Sequence, residues 1–254
     1  GKCSFIPANG RQGNPLKAMH LYRYETREAH GFIYIWWGEL RESYPPLPWF
    51  ESIPEELVYA TLKDHWSNNY ARAIENQLDA VHLPFVHRST IGRGNRTLIN
   101  GPLVREENHW SGDHLINIWV DNQVDHGQKP KRASEMTEPP QRPQLQFRFG
   151  NIWQNWIADG LRIVIAFAPV DEQNTILSLR YYHSVRFPGL RQMMGGLGCL
   201  MNLIIERQDP RVVETQLPHR PDLSIGEVLI PGDGPIILFR KIRRFLLDTA
   251  TKRK

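Results

Sequence analysis

The 254-residue chain has 41% hydrophobic and 23% charged residues, a composition that excludes wholesale disorder and is ordinary for a globular protein. No run approaches the ~18 consecutive apolar residues of a membrane-spanning helix, so no membrane span is expected. Two cysteines, Cys3 and Cys199, exclude a disulfide framework and favour a reducing, cytoplasmic compartment.

The formal net charge of +4 arises largely at the C terminus, where a cluster of basic residues faces only Asp248. Such a tail can contact nucleic acid, but apolar residues at helical spacing favour the solvated end of an amphipathic helix. We therefore expect no nucleic-acid partner. The basic residues are Arg240, Lys241, Arg243, Arg244, Lys252, Arg253 and Lys254, and the apolar ones are Phe239, Ile242, Leu246 and Leu247.

The first 45 residues have β character, clearest at residues 31–38, which are β-branched and aromatic between turn formers. Four prolines between residues 45 and 54 then indicate a linker. The sequence thus predicts two domains, residues 1–45 and residues 46–254. A further strand is predicted at residues 57–62.

The second domain alternates between helical and β patterns. Helices are predicted at residues 66–82, where Pro84 ends or bends the helix, and at 188–208, which has the pattern of a buried helix. Strands are predicted at 98–120 and, as an antiparallel meander, at 147–186, with a polar surface segment between them. This order predicts an α+β fold with a curved antiparallel sheet packed with helices. The polar segment is residues 121–145.

Residues 75–87 carry the strongest chemical signal. Asp79 and His82, three residues apart, share one face of a helix, and the turn at Pro84 can bring His87 toward His82. Two imidazoles and one carboxylate on one face of an octahedron leave positions at Fe(II) for O₂ and a co-substrate. The spacing of the two histidines alone is weak evidence for a metal site, because a chain with ten histidines contains some such pairs by chance. In that case His82 would be a hydrogen-bonded core histidine and His87 a surface one.

The fuller pattern Asn-x2-Asp-x2-His-x4-His resembles the iron-site signature of the Rieske non-haem iron oxygenases, the ring-hydroxylating oxygenase α subunits and related monooxygenases. A second match, at residues 206–216, resembles the helix that supplies the family's carboxylate ligand, and its position implies Asp209. The resemblance therefore implies a mononuclear Fe(II) held by His82, His87 and Asp209.

Two alternatives to ligation by Asp209 stay open. An Asp that precedes a proline, here Pro210, is also typical of a helix N-cap. Glu206, one helical turn earlier, is the other candidate for the carboxylate ligand.

A third match, in residues 1–8, 24–25 and 31–36, resembles the end of the family's Rieske domain and implies a helix-grip-like catalytic domain after it. The family binds a [2Fe–2S] cluster through Cys-x-His and Cys-x2-His pairs, but neither Cys3 nor Cys199 belongs to such a pair. We expect the chain to be a piece of a longer protein, with the cluster ligands encoded upstream and no cluster-binding residue here.

The resemblance also implies roles beyond the ligands. Asp79 resembles the acidic residue that orients an iron-ligand histidine and links it to the cluster of a neighbouring subunit, and Asn76 resembles the family's near-iron asparagine. Aromatic and polar residues of the meander are candidates for a pocket for an apolar or aromatic substrate, although alternate aromatics are usually ordinary core. These residues are Trp153, Asn155, Trp156, Ile165 and Phe167.

The implied reaction is hydroxylation or oxidative demethylation with O₂ by a homotrimer that receives electrons from a ferredoxin or reductase. Two other functions stay open. A helix-covered sheet can serve as a non-catalytic module for an apolar ligand, and the same three ligands suit a zinc hydrolase with Glu75 or Asp79 as general base.

Overall fold

The computed structural model describes residues 1–15, 18–109, 112–136 and 142–251. Contacts between residues divide the chain into two units, Gly1–Leu47 and Pro48–Lys254. The division falls within the proline-rich segment that the sequence marks as a linker. The origin of the first unit in a Rieske domain stays a prediction.

The first unit contains one β-hairpin, formed by β1 (Thr26–Ala29) and β2 (Phe32–Ile35). Its two turn residues, His30 and Gly31, both have positive φ angles, the conformation of a tight type I′ turn. The predicted strand at residues 31–38 is therefore shorter than expected. Elsewhere in the described part of this unit, β pairing is limited to a bridge between Lys2 and His20.

The second unit is built on an antiparallel sheet that has seven strands within the described residues. Their spatial order is β3-β9-β8-β7-β6-β5-β4. The hairpin of β8 and β9 turns at residues 171–174, as the sequence predicts. The strands are β3 (Val58–Trp66), β4 (Thr97–Glu107), β5 (Leu115–Val124), β6 (Leu145–Arg148), β7 (Ile152–Ala158), β8 (Leu161–Pro169) and β9 (Thr175–His183).

Five α-helices in the described part of the chain accompany this sheet, so the predicted α+β class is confirmed. They are α1 (Tyr70–Leu78), α2 (Leu83–Val86), α3 (Leu190–Glu206), α4 (Pro210–Val213) and α5 (Gly234–Thr251).

The predicted helix at residues 66–82 is shorter than expected at both ends, because β3 continues through Trp66 and α1 ends at Leu78. Asp79 and His82 therefore do not share one face of a helix as predicted; Asp79 follows α1 and His82 precedes α2. The side chain of Asn69 accepts a hydrogen bond from the backbone N–H of Ala71 and begins α1. The predicted surface segment starts as the end of β5 and includes a short 3₁₀ helix, Ala133–Glu135. Its residues 137–141 lie outside the described part of the chain.

One face of the sheet carries the main hydrophobic core, which α1 and α5 cover. Trp66, Ile74, Phe147 and Phe239 are almost completely buried there. The C-terminal amphipathic helix is confirmed as α5, whereas Lys252–Lys254 lie outside the described residues. Among the described helices, none is long and apolar enough to cross a membrane.

Helix α3 differs from its prediction as a buried helix. Two of its glycines, Gly195 and Gly198, are buried against the sheet, whereas large apolar side chains such as Leu197 and Leu200 are exposed. A methyl group at Gly195 would lie 2.8 Å from the Cβ of Ala60, and one at Gly198 would overlap the ring of Tyr181. Small residues are therefore needed for α3 to approach β3 and β9 closely.

We predict that Gly198→Ala lowers the free energy of unfolding by about 1–3 kcal/mol, because the added methyl group must displace Tyr181. Gly196→Ala is the matched control on the same helix, since a Cβ there meets no described atom within 4 Å. It should be neutral or stabilise the protein by about 0.5–1 kcal/mol, because alanine favours the helix. Urea-induced unfolding measures both, and equal effects would show that close packing of α3 is unimportant.

Candidate metal centre

Two histidines flank the single turn of α2. His82 precedes the helix and accepts the backbone N–H groups of Phe85 and Val86 with its carbonyl oxygen, and His87 follows it. Pro84 lies in the first turn, where its missing N–H costs no hydrogen bond. This tight turn brings the Nε2 atoms of His82 and His87 within 3.1 Å of each other.

The third member of the group, Asp209, lies between α3 and α4. It occupies the N-cap position of α4, but its side chain makes no capping hydrogen bond and its backbone is helical rather than extended. The carboxylate instead points at the histidines, with Oδ1 3.1 Å from Nε2 of His87 and 3.6 Å from Nε2 of His82. The structure therefore brings together all three residues that the resemblance implies as ligands.

The spacing of these donor atoms suits a bound metal ion. Three donors about 2.1 Å from one ion and at right angles to each other would be about 3.0 Å apart, close to the observed separations. Oδ1 of Asp209 is buried without a hydrogen bond among the described residues, as expected for an atom that serves a metal. Across the described ranges, no other group of three His, Cys, Asp or Glu residues has this arrangement.

The environment of His82 combines burial with two nearby carboxylates. Burial lowers the pKa of His82, but the nearby carboxylates of Asp79 and Asp209 outweigh this effect and raise the pKa above its ordinary value of 6.5. Nδ1 of His82 lies 3.5 Å from Oδ2 of Asp79, and Oδ1 of Asp79 accepts the backbone N–H of Val81 at 2.8 Å. Asp79 is thus placed behind His82, on the side away from Asp209.

Gln208, which the sequence reasoning missed, is the corresponding neighbour of His87. Its Oε1 lies 3.1 Å from Nδ1 of His87 and 3.2 Å from the hydroxyl of Thr90. The position immediately before Asp209 is the only sequence signal that could have identified it, and a glutamine there has no motif of its own.

Glu206 does not join the group. Burial and the carboxylates of Asp209 and Asp64 raise the pKa of Glu206 well above its usual range, although Gln77 donates a hydrogen bond to it at 3.2 Å. The geometry excludes it as a ligand of the same ion, because the group of possible metal donors among the described residues consists of His82, His87 and Asp209.

The metal group forms part of the wall of a cavity of about 680 Å³. Trp153, Asn155 and Trp156, predicted to contact substrate, line this cavity. The other lining residues outside the metal group are mainly apolar or uncharged polar, namely Gln77, Ala80, Leu83, Thr90, Ile91, Thr97, Val120, Asn122, Gln123, Gln144, Leu145, Ile157, Ile163, Tyr181, Asn202 and Ile205, with Asp79, Arg93 and Glu206 carrying ionisable groups.

Three predicted substrate-pocket or near-iron residues do not line the cavity. Ile165 and Phe167 lie on the same face of β8 as Ile163, which does line it, but both belong to the main hydrophobic core, to which α1 also contributes. Asn76 lies on α1 outside the lining, with its buried Nδ2 unpaired among the described atoms. A direct contact of Asn76 or Phe167 with substrate is therefore not supported.

Glu75, the possible general base of a zinc hydrolase, is paired with two buried arginines. It is buried, accepts a hydrogen bond from Arg72 at 2.9 Å and one from Arg240 at 2.6 Å, and does not line the cavity. The hydrolase alternative therefore loses this residue as its base.

A family model described as "Vanillate O-demethylase oxygenase C-terminal domain" matches residues 66–249. A curated relative, the putative toluene-4-sulfonate monooxygenase system iron-sulfur subunit TsaM2 of Comamonas testosteroni, is 27% identical over 129 residues. This match covers 48% of the present chain and 35% of the relative, so the chain matches only about a third of that protein's length.

Two solved structures have the same fold. NdmA of Pseudomonas putida CBB5 with caffeine has a TM-score of 0.64 at 19% identity, over 96% of this chain and 67% of that one. The reduced complex between oxygenase and ferredoxin in carbazole 1,9a-dioxygenase gives a TM-score of 0.66 at 16% identity, over 91% and 67% of the two chains. Since the family model covers most of the 254 residues, this chain belongs to the vanillate O-demethylase oxygenase C-terminal domain family.

Proposed function

We propose that this chain carries the oxygen-activating centre of an oxygenase that hydroxylates or oxidatively demethylates an apolar or aromatic substrate. The observation that carries the proposal is the convergence of two Nε2 atoms and one carboxylate oxygen, within 3.6 Å of one another, on the wall of a cavity. His82, His87 and Asp209 are the proposed ligands of a mononuclear Fe(II).

Two imidazoles and a carboxylate are the donor set of the non-haem iron sites that keep positions open for further ligands. Fe(II) bound there supplies the ability to bind and reduce O₂. The carboxylate of Asp209 offsets part of the ion's charge, and the two neutral imidazoles leave the site with a net positive charge. Burial of His87 and Asp209 limits the access of water to these donors.

The cavity supports an apolar substrate of moderate size. Its volume lies within the range of small-molecule sites, and Trp153, Ile163 and Tyr181 offer an apolar surface. Asn155 and Asn202 are uncharged polar groups on the same wall that can orient a substrate by hydrogen bonds. The names of relatives, which mention vanillate and toluene-4-sulfonate, support an aromatic substrate.

Electrons are proposed to reach the iron from a Rieske [2Fe–2S] cluster, for which this chain has no Cys-x-His or Cys-x2-His pair. Asp79, placed behind His82, is the proposed link to a cluster of a neighbouring subunit in a homotrimer. A ferredoxin or reductase is the proposed donor, which the ferredoxin complex of the carbazole oxygenase supports. Residues 1–45 are proposed to be the end of the Rieske domain, in a cytoplasmic protein.

Iron content of the natural full-length protein tests the proposal. The wild-type protein should bind one mononuclear iron per chain besides the cluster, give the electron paramagnetic resonance signal of a ferrous nitrosyl complex with nitric oxide, and consume O₂ with an aromatic substrate. His82→Ala should lose the mononuclear iron and the nitrosyl signal while the cluster signal remains. His126→Ala, at an exposed histidine outside the cavity, is the control and should retain all three.

Other results would contradict the proposal. Hydrolytic activity with zinc and without O₂ or reductant would favour the hydrolase, and a protein that binds an apolar ligand but no metal would favour the binding module. Circular dichroism of His82→Ala shows whether any loss reflects unfolding instead of lost ligation.

A further inference from the structure

The side chain of Gln208 connects the two segments that carry the proposed ligands. Its Oε1 lies 3.1 Å from Nδ1 of His87 and 3.2 Å from the hydroxyl of Thr90, and its Nε2 lies 3.5 Å from the hydroxyl of Ser89. Gln208 is also the immediate neighbour of Asp209. The side-chain amide of Gln208 thus contacts the segment that carries His87, and the backbone of Gln208 is bonded directly to Asp209.

The direction of the His87 ring determines which of its nitrogens must carry the proton. Nε2 faces Oδ1 of Asp209 and Nε2 of His82, so this atom must offer its lone pair if the group is to bind a metal. The proton of the neutral imidazole then lies on Nδ1 and needs an acceptor, because His87 is buried. Oε1 of Gln208 is the acceptor at that position.

We infer that Gln208 is a positioning residue that fixes the tautomer and ring orientation of His87 for metal binding. This inference rests on the proposed iron site. Without the acceptor, the proton can move to Nε2, where it would occupy the lone pair that the metal needs, or the ring can rotate. Outer partners of this kind contribute 10–100-fold to metal affinity.

The two histidines differ in the charge of the group behind them. His82 has the carboxylate of Asp79, whereas His87 has the neutral amide of Gln208. An amide orients the ring without adding a further negative charge beside the carboxylate of Asp209. Gln208 therefore supplies orientation alone, which separates its role from the one proposed for Asp79.

A second contact holds the same two segments together. Arg211 is the second residue of α4, and its Nη2 donates a hydrogen bond to the carbonyl oxygen of Val86 at 2.8 Å. Since this hydrogen bond does not involve Gln208, replacing Gln208 should leave the two segments docked. A change at Gln208 then reports on the His87 ring and not on the fold.

The test compares Gln208→Leu, Gln208→Glu and Gln216→Leu in the full-length protein after removal of the mononuclear iron. Leucine keeps the volume and removes the acceptor, glutamate keeps an acceptor oxygen, and Gln216, an exposed residue after α4, is the matched control. Affinity for Fe(II) and Co(II) is measured by competition with a chelator, and the visible spectrum of the Co(II) form reports ligand geometry. Thermal unfolding of the metal-free variants checks the fold.

Gln208→Leu should weaken metal binding by about 10–100-fold and alter the Co(II) spectrum, with little change in unfolding temperature. Gln208→Glu should restore both properties, and Gln216→Leu should match the wild type. The inference is wrong if Gln208→Leu keeps wild-type affinity and spectrum, or if glutamate fails to rescue. Those results leave the iron site intact, whereas a wild-type protein that binds neither ion at this site would overturn the proposed function itself.

Discussion

Asp209→Asn is expected to weaken iron binding by more than about 100-fold and to reduce substrate-dependent O₂ uptake to background, because even partners behind the ligands typically contribute 10–100-fold. The substitution keeps the size of the side chain but removes its charge. Oδ1 of Asp209 lies 3.1 Å and 3.6 Å from the Nε2 atoms of the two histidines, so no other described carboxylate can replace it.

The effect of substitutions on unfolding stability distinguishes a metal-ligand role of Asp209 from a helix-capping role. A capping Asp replaced by Ala would cost about 1 kcal/mol with or without metal, whereas Asn would be tolerated, since Asn caps equally well. Because the side chain of Asp209 makes no capping hydrogen bond, Asp209→Ala should not lose cap stability in the metal-free protein. Both variants should instead lose the stabilisation that iron gives to the wild type.

Thermal unfolding with and without iron measures this difference, alongside iron content and O₂ uptake. Asp222→Asn is the control, because Asp222 is half-exposed and pairs with Arg244 on the surface, where such a pair contributes only ~0–1 kcal/mol. A loss of stability for Asp209→Ala but not for Asp209→Asn, equal with and without iron, would assign Asp209 to capping.

The sequence predicted the elements whose pattern is local. Residues of β8 alternate between the main core, as Ile165 does, and the opposite face, as Val164 does, so the strand could be recognised from its β-branched residues alone. Helix α3 shows where such reasoning fails. Its large apolar residues suggested burial, but Gly195 and Gly198 face the sheet, since close approach outweighs side-chain burial there.

The residues of the candidate site also differ in how far the sequence could identify them. His82 and His87 lie five residues apart around a proline, within one short pattern that resembles the family's iron-site signature. Asp209 is more than a hundred residues further on, and an Asp before a proline fits a cap as well as a ligand, so only the resemblance selected it. Gln208 had no pattern at all, because its contact with His87 exists only in the folded chain.

Glu75→Gln is expected to lower the free energy of unfolding by about 3–5 kcal/mol, the usual cost of removing one partner from a buried ion pair. Glu75 accepts hydrogen bonds from Arg72 at 2.9 Å and from Arg240 at 2.6 Å and 3.1 Å, and all three side chains are almost fully buried. After the substitution, the ion pairs that the described residues still offer to the two arginines are those with the partly exposed Glu227.

The same variant distinguishes a structural role of Glu75 from catalysis. Glu75 links α1 to α5 and does not line the cavity, so the folded fraction of Glu75→Gln should keep its iron and its substrate-dependent O₂ uptake. Urea-induced unfolding gives the stability, and activity is measured well below the unfolding midpoint. Asp248→Asn, in an exposed pair with Arg244, should change stability by no more than ~1 kcal/mol. Unchanged stability with lost activity would contradict this structural role, because a side chain that acts only through the fold cannot change the reaction without changing stability.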